Sequence, residues 1–202
     1  MKKTSLFLLA LLAAPLFAMS NGAPNFGCTM CHQDAKPLSP QHIVIKGLPQ
    51  YYEPGKSYRI TIEVTDANEC TPAMTACGGF ALQANAGEFK VVDPTNTFIA
   101  HPTPTESFVT HTKEGSMKRT WTVEWVAPKE RKPVTFRVAV IAANGDGSPF
   151  GDYFGMKTFV LQPAVPGVNP TVTTTQGNVI TITKTVWVTV TITKTITVTL
   201  SG

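Results

Sequence analysis

The chain has 202 residues, 43% of them hydrophobic, and a formal charge of +4 at neutral pH. That is ample for one packed domain with an appendage. Half of the charge comes from Lys2 and Lys3, and the remaining basic residues are scattered, which excludes a nucleic-acid footprint or any other polyanionic partner.

Lys2 and Lys3 precede an apolar run from Leu6 to Phe17, followed by the small residues Ala18 and Ser20. Residues 1–20 are therefore expected to be a secretory signal peptide, cleaved before Asn21. The run holds only about a dozen residues, too few to span a bilayer comfortably. An exported chain reaches a compartment in which disulfides persist.

Residues 21–40 are rich in Pro and Gly, lack periodicity, and contain Cys28-Thr29-Met30-Cys31-His32. C-x-x-C-H is the spacing of covalent haem attachment. Two thiols three positions apart reach the two vinyl groups along one porphyrin edge, and the next imidazole then ligates the iron. The expectation is one haem c, anchored by Cys28 and Cys31, with His32 as proximal ligand. A redox-active or structural disulfide and a partial zinc site are the competing readings. No helix can be read around this segment, so a haem here must lean on the domain that follows.

From His42 the hydrophobic period becomes two. Ile43 to Lys46 forms a short strand, a turn is expected over Tyr51 to Lys56, and Tyr58, Ile60, Ile62 and Val64 alternate with polar residues. Further strands are expected at Phe80–Gln83, Glu88–Val92, Ser107–Thr110, Lys118–Val126, Val134–Ala142 and Lys157–Leu161. Many short strands between turn signals predict an antiparallel β-sandwich over residues 41–162. Trp121 and Trp125, four apart on one strand, share a face and are expected in its core. Asn144-Gly145-Asp146-Gly147, with Asp152 nearby, is expected to be a tight turn, since it lacks the acidic residues of a calcium loop.

Cys70 and Cys77 enclose a polar loop. They are expected to form a disulfide with each other, with a zinc site shared with Cys28 and Cys31 as the alternative. The sixth iron position can be filled by His42, His101, His111 or a methionine. His111 is preferred because it ends a strand before the turn at Glu114-Gly115, although a purely structural role competes. His101, beside Pro102 and Pro104, reads as a solvated loop residue; Met74 and Met117 lie in loops.

Several stretches are shared with a known family: Tyr52-Glu53-Pro54-Gly55-Lys56-Ser57-Tyr58, Gly79-Phe80-Ala81-Leu82-Gln83-Ala84, Thr110-His111-Thr112, Trp121 to Pro128, Val134-Thr135-Phe136 and Asn144 to Gly147. Together they resemble a Reeler (reelin N-terminal-like) domain over about residues 40–162. A related prokaryotic group carries an N-G-A-P-like stretch and C-x-x-C-H directly before such a domain, as Asn21 to Pro24 and Cys28 to His32 do here. The resemblance implies a Reeler-like β-sandwich and an extracellular module, without a single chemistry.

Pro163, Pro166 and Pro170 make residues 163–170 a stiff linker. Residues 171–202 form a tail of Thr, Val and Ile, with threonines from Thr181 to Thr199 on one face and apolar residues on the other, interrupted by Trp187, Lys184 and Lys194. From Ile180 to Leu200 this is a strand pattern about 70 Å long when extended, with no Gly or Pro inside it to fold it back. A lone strand leaves its backbone groups unpaired, so self-association or docking on a surface is expected. The two lysines argue against a transmembrane helix.

The leading expectation is a secreted or cell-surface monohaem c-type protein in electron transfer, partnered by a redox protein or a neighbouring haem subunit. A structural or adhesive surface protein, in which haem or disulfide only stabilises, is the alternative. An enzyme is not expected, since no nucleophile–base pair or paired carboxylates stand out.

Overall fold

In a computed structural model of the chain, residues 21–24, 26, 28, 32, 34–65, 67–69, 76–148 and 150–165 are described. The expected signal peptide, Cys31, Cys70, Met74 and the tail 171–202 lie outside the described residues. The chain divides after Pro163 into two units, and the first of them carries the fold and the candidate site.

Eleven strands are present among the described residues. They are β1 (Lys36–Pro37), β2 (Ile43–Lys46), β3 (Tyr51–Tyr52), β4 (Ser57–Val64), β5 (Gly78–Ala84), β6 (Glu88–Lys90), β7 (Thr97–Thr103), β8 (Glu106–His111), β9 (Thr120–Val126), β10 (Val134–Ala142) and β11 (Tyr153–Pro163). The larger sheet has the order β1-β11-β10-β5-β8-β7, with β3 also paired to β11; the smaller has the order β2-β4-β9-β6. Two sheets face each other, as the alternating pattern requires: the fold is a mainly antiparallel β-sandwich.

Strict alternation in β4 and β9 sends Ile60, Ile62, Val64, Trp121, Val123 and Trp125 inward, where all are buried. They meet Phe80, Leu82, Val109, Phe136, Val138 and Val140 from the larger sheet. Trp125 lies edge-on to Tyr52 and Phe136 at centroid distances of 5.6 and 4.9 Å, and its Nε1–H donates to the Ala86 carbonyl at 3.0 Å. Both tryptophans are core residues.

β10 departs from alternation: Val138 to Ala142 are buried without a break. The cause is the N-terminal segment, which covers the outer face of the larger sheet. Phe26 packs edge-on against Phe108 and stacks under Arg137, the Ala23 N–H donates to Thr110 Oγ1, and Cys28 rests with Ala139, Ile141 and Ala143. Downstream, Lys36 and Pro37 run parallel to Tyr153 and Phe154.

Three expectations need correction. Tyr51–Tyr52, expected within a turn, forms a short strand parallel to Gln162–Pro163, and the buried Tyr52 hydroxyl donates to the Lys132 carbonyl at 2.7 Å. His101 and Pro102, expected in a loop, lie on β7, which forms the sheet edge where a proline costs no ladder bond. β11 starts at Tyr153 rather than Lys157, because its early residues pair with both β10 and β1. Residues 144–148 form the expected tight turn, with Gly145 and Gly147 both at φ +79° and Asn144 and Asp146 accepting backbone N–H bonds.

Candidate functional site

The site begins with a single backbone bond. The His32 N–H donates to the Cys28 carbonyl at 3.0 Å, tying the first cysteine and the histidine of the C-x-x-C-H stretch together. Cys28 is buried against the outer face of β10.

His32 Nδ1 lies 2.5 Å from Asp152 Oδ2. Asp152 is only 1% exposed, and its other oxygen accepts the Asn144 N–H at 2.8 Å. A carboxylate oxygen only accepts, so the imidazole donates from Nδ1. Its Nε2 makes no hydrogen bond among the described residues. A histidine whose Nδ1–H is fixed by a carboxylate is the usual arrangement of a metal-ligating imidazole.

Asp152 is supplied by the end of the β10–β11 connection, where Lys36 N–H donates to its carbonyl at 2.7 Å. Burial pushes the Arg119 guanidinium below its usual range, and the Asp152 carboxylate opposes that shift. The Arg119 N–H groups go to carbonyls, bonding Cys77 at 3.0 Å, Ala143 at 3.1 Å, and both the carbonyl and side chain of Asn68. The start of β5, the end of β10 and the start of β9 are thereby tied together.

His111 ends β8 with its ring against Gly79, its centroid 6.4 and 6.5 Å from those of Phe80 and Trp121. Burial pushes its imidazole down to about 4, opposed by hydrogen bonding to Phe80 and reinforced by the proximity of His32. Nδ1 of His111 lies 3.1 Å from the Phe80 nitrogen and 3.4 Å from the Phe80 oxygen. With the Phe80 N–H donating, the neutral ring carries its proton on Nε2; with Nδ1 donating to the carbonyl, the Nε2 lone pair is open.

The remaining sequence candidates fall elsewhere. His42 closes a single helical turn, Pro40–His42, and His101 is exposed on β7. Met117 is 38% exposed in the turn Gly115–Met117. Cys77 is disulfide-bonded, which removes it from any zinc site; Cys70, its expected partner, lies outside the described residues. Among the described residues no group of three or more His, Cys, Asp or Glu side chains is placed to hold a metal ion, and no helix is long and apolar enough to cross a membrane. Asp152 is the residue that sequence reasoning missed as a partner of His32. Its only local signal is a turn, and 120 positions separate the two.

The Reeler domain model matches residues 27–145, more than half of the chain. Among solved structures, the reeler domain of human F-spondin aligns at 22% identity, covering 65% of this chain and 95% of its own, with a TM-score of 0.46. The Reelin-N domain of F-spondin aligns at 21% identity, covering 70% and 100%, with a TM-score of 0.45. A conjugative transposon lipoprotein from Bacteroides eggerthii aligns at 10% identity, covering 59% and 93%, with a TM-score of 0.33. The search of curated proteins returned no match. The chain belongs to the Reeler domain family.

Proposed function

We propose that this protein is an extracellular monohaem c-type electron-transfer protein built on a Reeler-like sandwich. The observation that carries the reading is His32, held by Asp152 at Nδ1, with no hydrogen bond at Nε2 among the described residues and its backbone N–H bonded to the Cys28 carbonyl. The residues present fit the group: a thiol, an oriented imidazole, and an apolar wall from Ala139, Ile141 and Phe154. Cys28 and Cys31 would anchor haem c, and His32 would be the proximal ligand. Haem bound there supplies a one-electron couple.

His111 is the proposed sixth ligand. Burial keeps its ring neutral, as ligation requires, and the Nδ1–H state bonded to the Phe80 carbonyl leaves Nε2 available. The disulfide at Cys77 and the leader-like first 20 residues support export to an oxidising compartment. The alternating tail supports assembly or surface attachment by strand addition, which would bring one subunit's site near a redox partner or the next subunit.

A second reading, a structural or adhesive surface protein, is favoured by the shorter Phe80 N–H contact to His111, the state in which His111 is a core residue and not a ligand. One experiment separates the two. Protein matured in an exporting host is examined by reduced-minus-oxidised spectroscopy with a pyridine haemochrome assay. A c-type band at one haem per chain is the expected result. A colourless protein without thiols reactive to alkylation would replace electron transfer with the structural reading.

A further inference from the structure

We infer that Asp152 is the positioning residue of this site: its carboxylate holds His32 in the Nδ1–H tautomer and charges the ring's outer side, so that Nε2 is a strong electron donor. The first half concerns the haem-free chain. The second half rests on the haem reading above.

Three observations carry the inference. The carboxylate is 1% exposed, so little water screens it. Its two oxygens are divided between one backbone amide and the His32 ring, at 2.8 and 2.5 Å, which fixes the direction of both lone pairs in use. Arg119 lies near, yet its N–H groups are directed at the carbonyls of Cys77, Ala143 and Asn68 and at the Asn68 side chain. The carboxylate therefore keeps its hydrogen-bonding capacity for His32.

Position is enforced as firmly as charge. Asp152 sits between Gly151, at φ +79°, and the first ladder residue of β11, while its own carbonyl accepts the Lys36 N–H. Neither rotation of the ring nor a tautomer change is possible without losing the 2.5 Å bond. An anion on the far side of an imidazole raises its basicity at the other nitrogen and favours the more positive, oxidised state of a metal bound there. Haem held there would have its potential lowered by Asp152, and a one-electron donor that feeds it would have to be correspondingly reducing.

The test pairs one measurement on haem-free protein with one on haem-loaded protein. In the haem-free full chain, long-range ¹H–¹⁵N correlation of the imidazoles is expected to report Nδ1–H for His32; an Nε2–H ring would overturn the inference. Asp152→Asn keeps the shape, removes the charge and leaves one acceptor oxygen for the two donors, the Asn144 N–H and the His32 ring. In haem-loaded protein it is expected to favour the reduced form at least tenfold, about 59 mV for one electron, and to weaken the reduced iron–histidine stretch, with the c-type band retained. An unchanged potential in a folded, haem-loaded variant would overturn the charge role. Asp152→Glu, which restores the charge, is expected to recover part of the shift, whereas a purely structural role would leave it no better than Asn. A colourless wild-type chain with an Nδ1–H His32 would sink the haem reading while supporting the positioning role. If the Asn variant does not fold, the wild-type tautomer decides.

Discussion

His111 is buried as a neutral imidazole, and that has a consequence for stability. Its folded value, about 4, lies below the unfolded value near 6.5. Between those limits the unfolded chain binds a proton that the folded chain refuses, so stability is complete above pH 6.5 and falls as pH drops toward 4. The loss is up to about 3 kcal/mol. Urea titrations of the haem-free chain from pH 8 to 4 are expected to show it, and His111→Gln to flatten that part of the slope. An equal slope in both proteins would contradict the assignment. Gly79 makes this burial possible: a Cβ there would lie 2.5 Å from His111 Cε1. Gly79→Ala is expected to cost about 1–3 kcal/mol by overpacking, and much less in a His111→Ala background. A double-mutant cycle checks this, with additivity as the outcome that denies the contact.

At the scale of elements, the central strands do unequal work. β10 is flanked by β5 and β11 and covered on both faces, by the core on one side and by the N-terminal segment on the other. Trp125 on β9 joins Tyr52, Tyr58 and Phe136 in one aromatic group. Trp125→Ala is expected to cost about 3–5 kcal/mol, and Trp125→Phe to cost less, mainly the bond to the Ala86 carbonyl. Phe26→Ala on the N-terminal segment is expected to cost about 1 kcal/mol, the scale of its aromatic pair, and to raise hydrogen exchange in residues 21–28 more than in β4 or β9. Uniform exchange changes would mean that the segment and the sandwich open together. These elements also show what a pattern can convey. β4, β9 and β10 were legible because alternation or continuous burial leaves a trace in the residues themselves. β1, β3 and β7 were not, since two-residue parallel ladders and a proline-bearing edge carry almost no periodic signal.

For the whole molecule, the first unit ends at Pro163 and contains its own core, both sheets and the candidate site. Deleting residues 171–202 is therefore expected to leave a folded sandwich with an unchanged thermal midpoint. If the tail drives association, sedimentation should show oligomers for the long chain and monomers for the short one. Identical oligomers in both would remove the tail from the account.

The amino-acid sequence by itself determined the sandwich, its two buried tryptophans, the C-x-x-C-H stretch and the unusual composition of the tail. Each depends on neighbours within about ten positions, where period and spacing speak directly. Tertiary structure alone decided that His32 meets Asp152, that the His111 ring lies against Gly79, and that the N-terminal segment covers β10. Alternation specifies which face a side chain takes, but not which strand lies beside it. A hydrogen bond across 120 positions follows from strand order and register, which the whole set of pairings settles together.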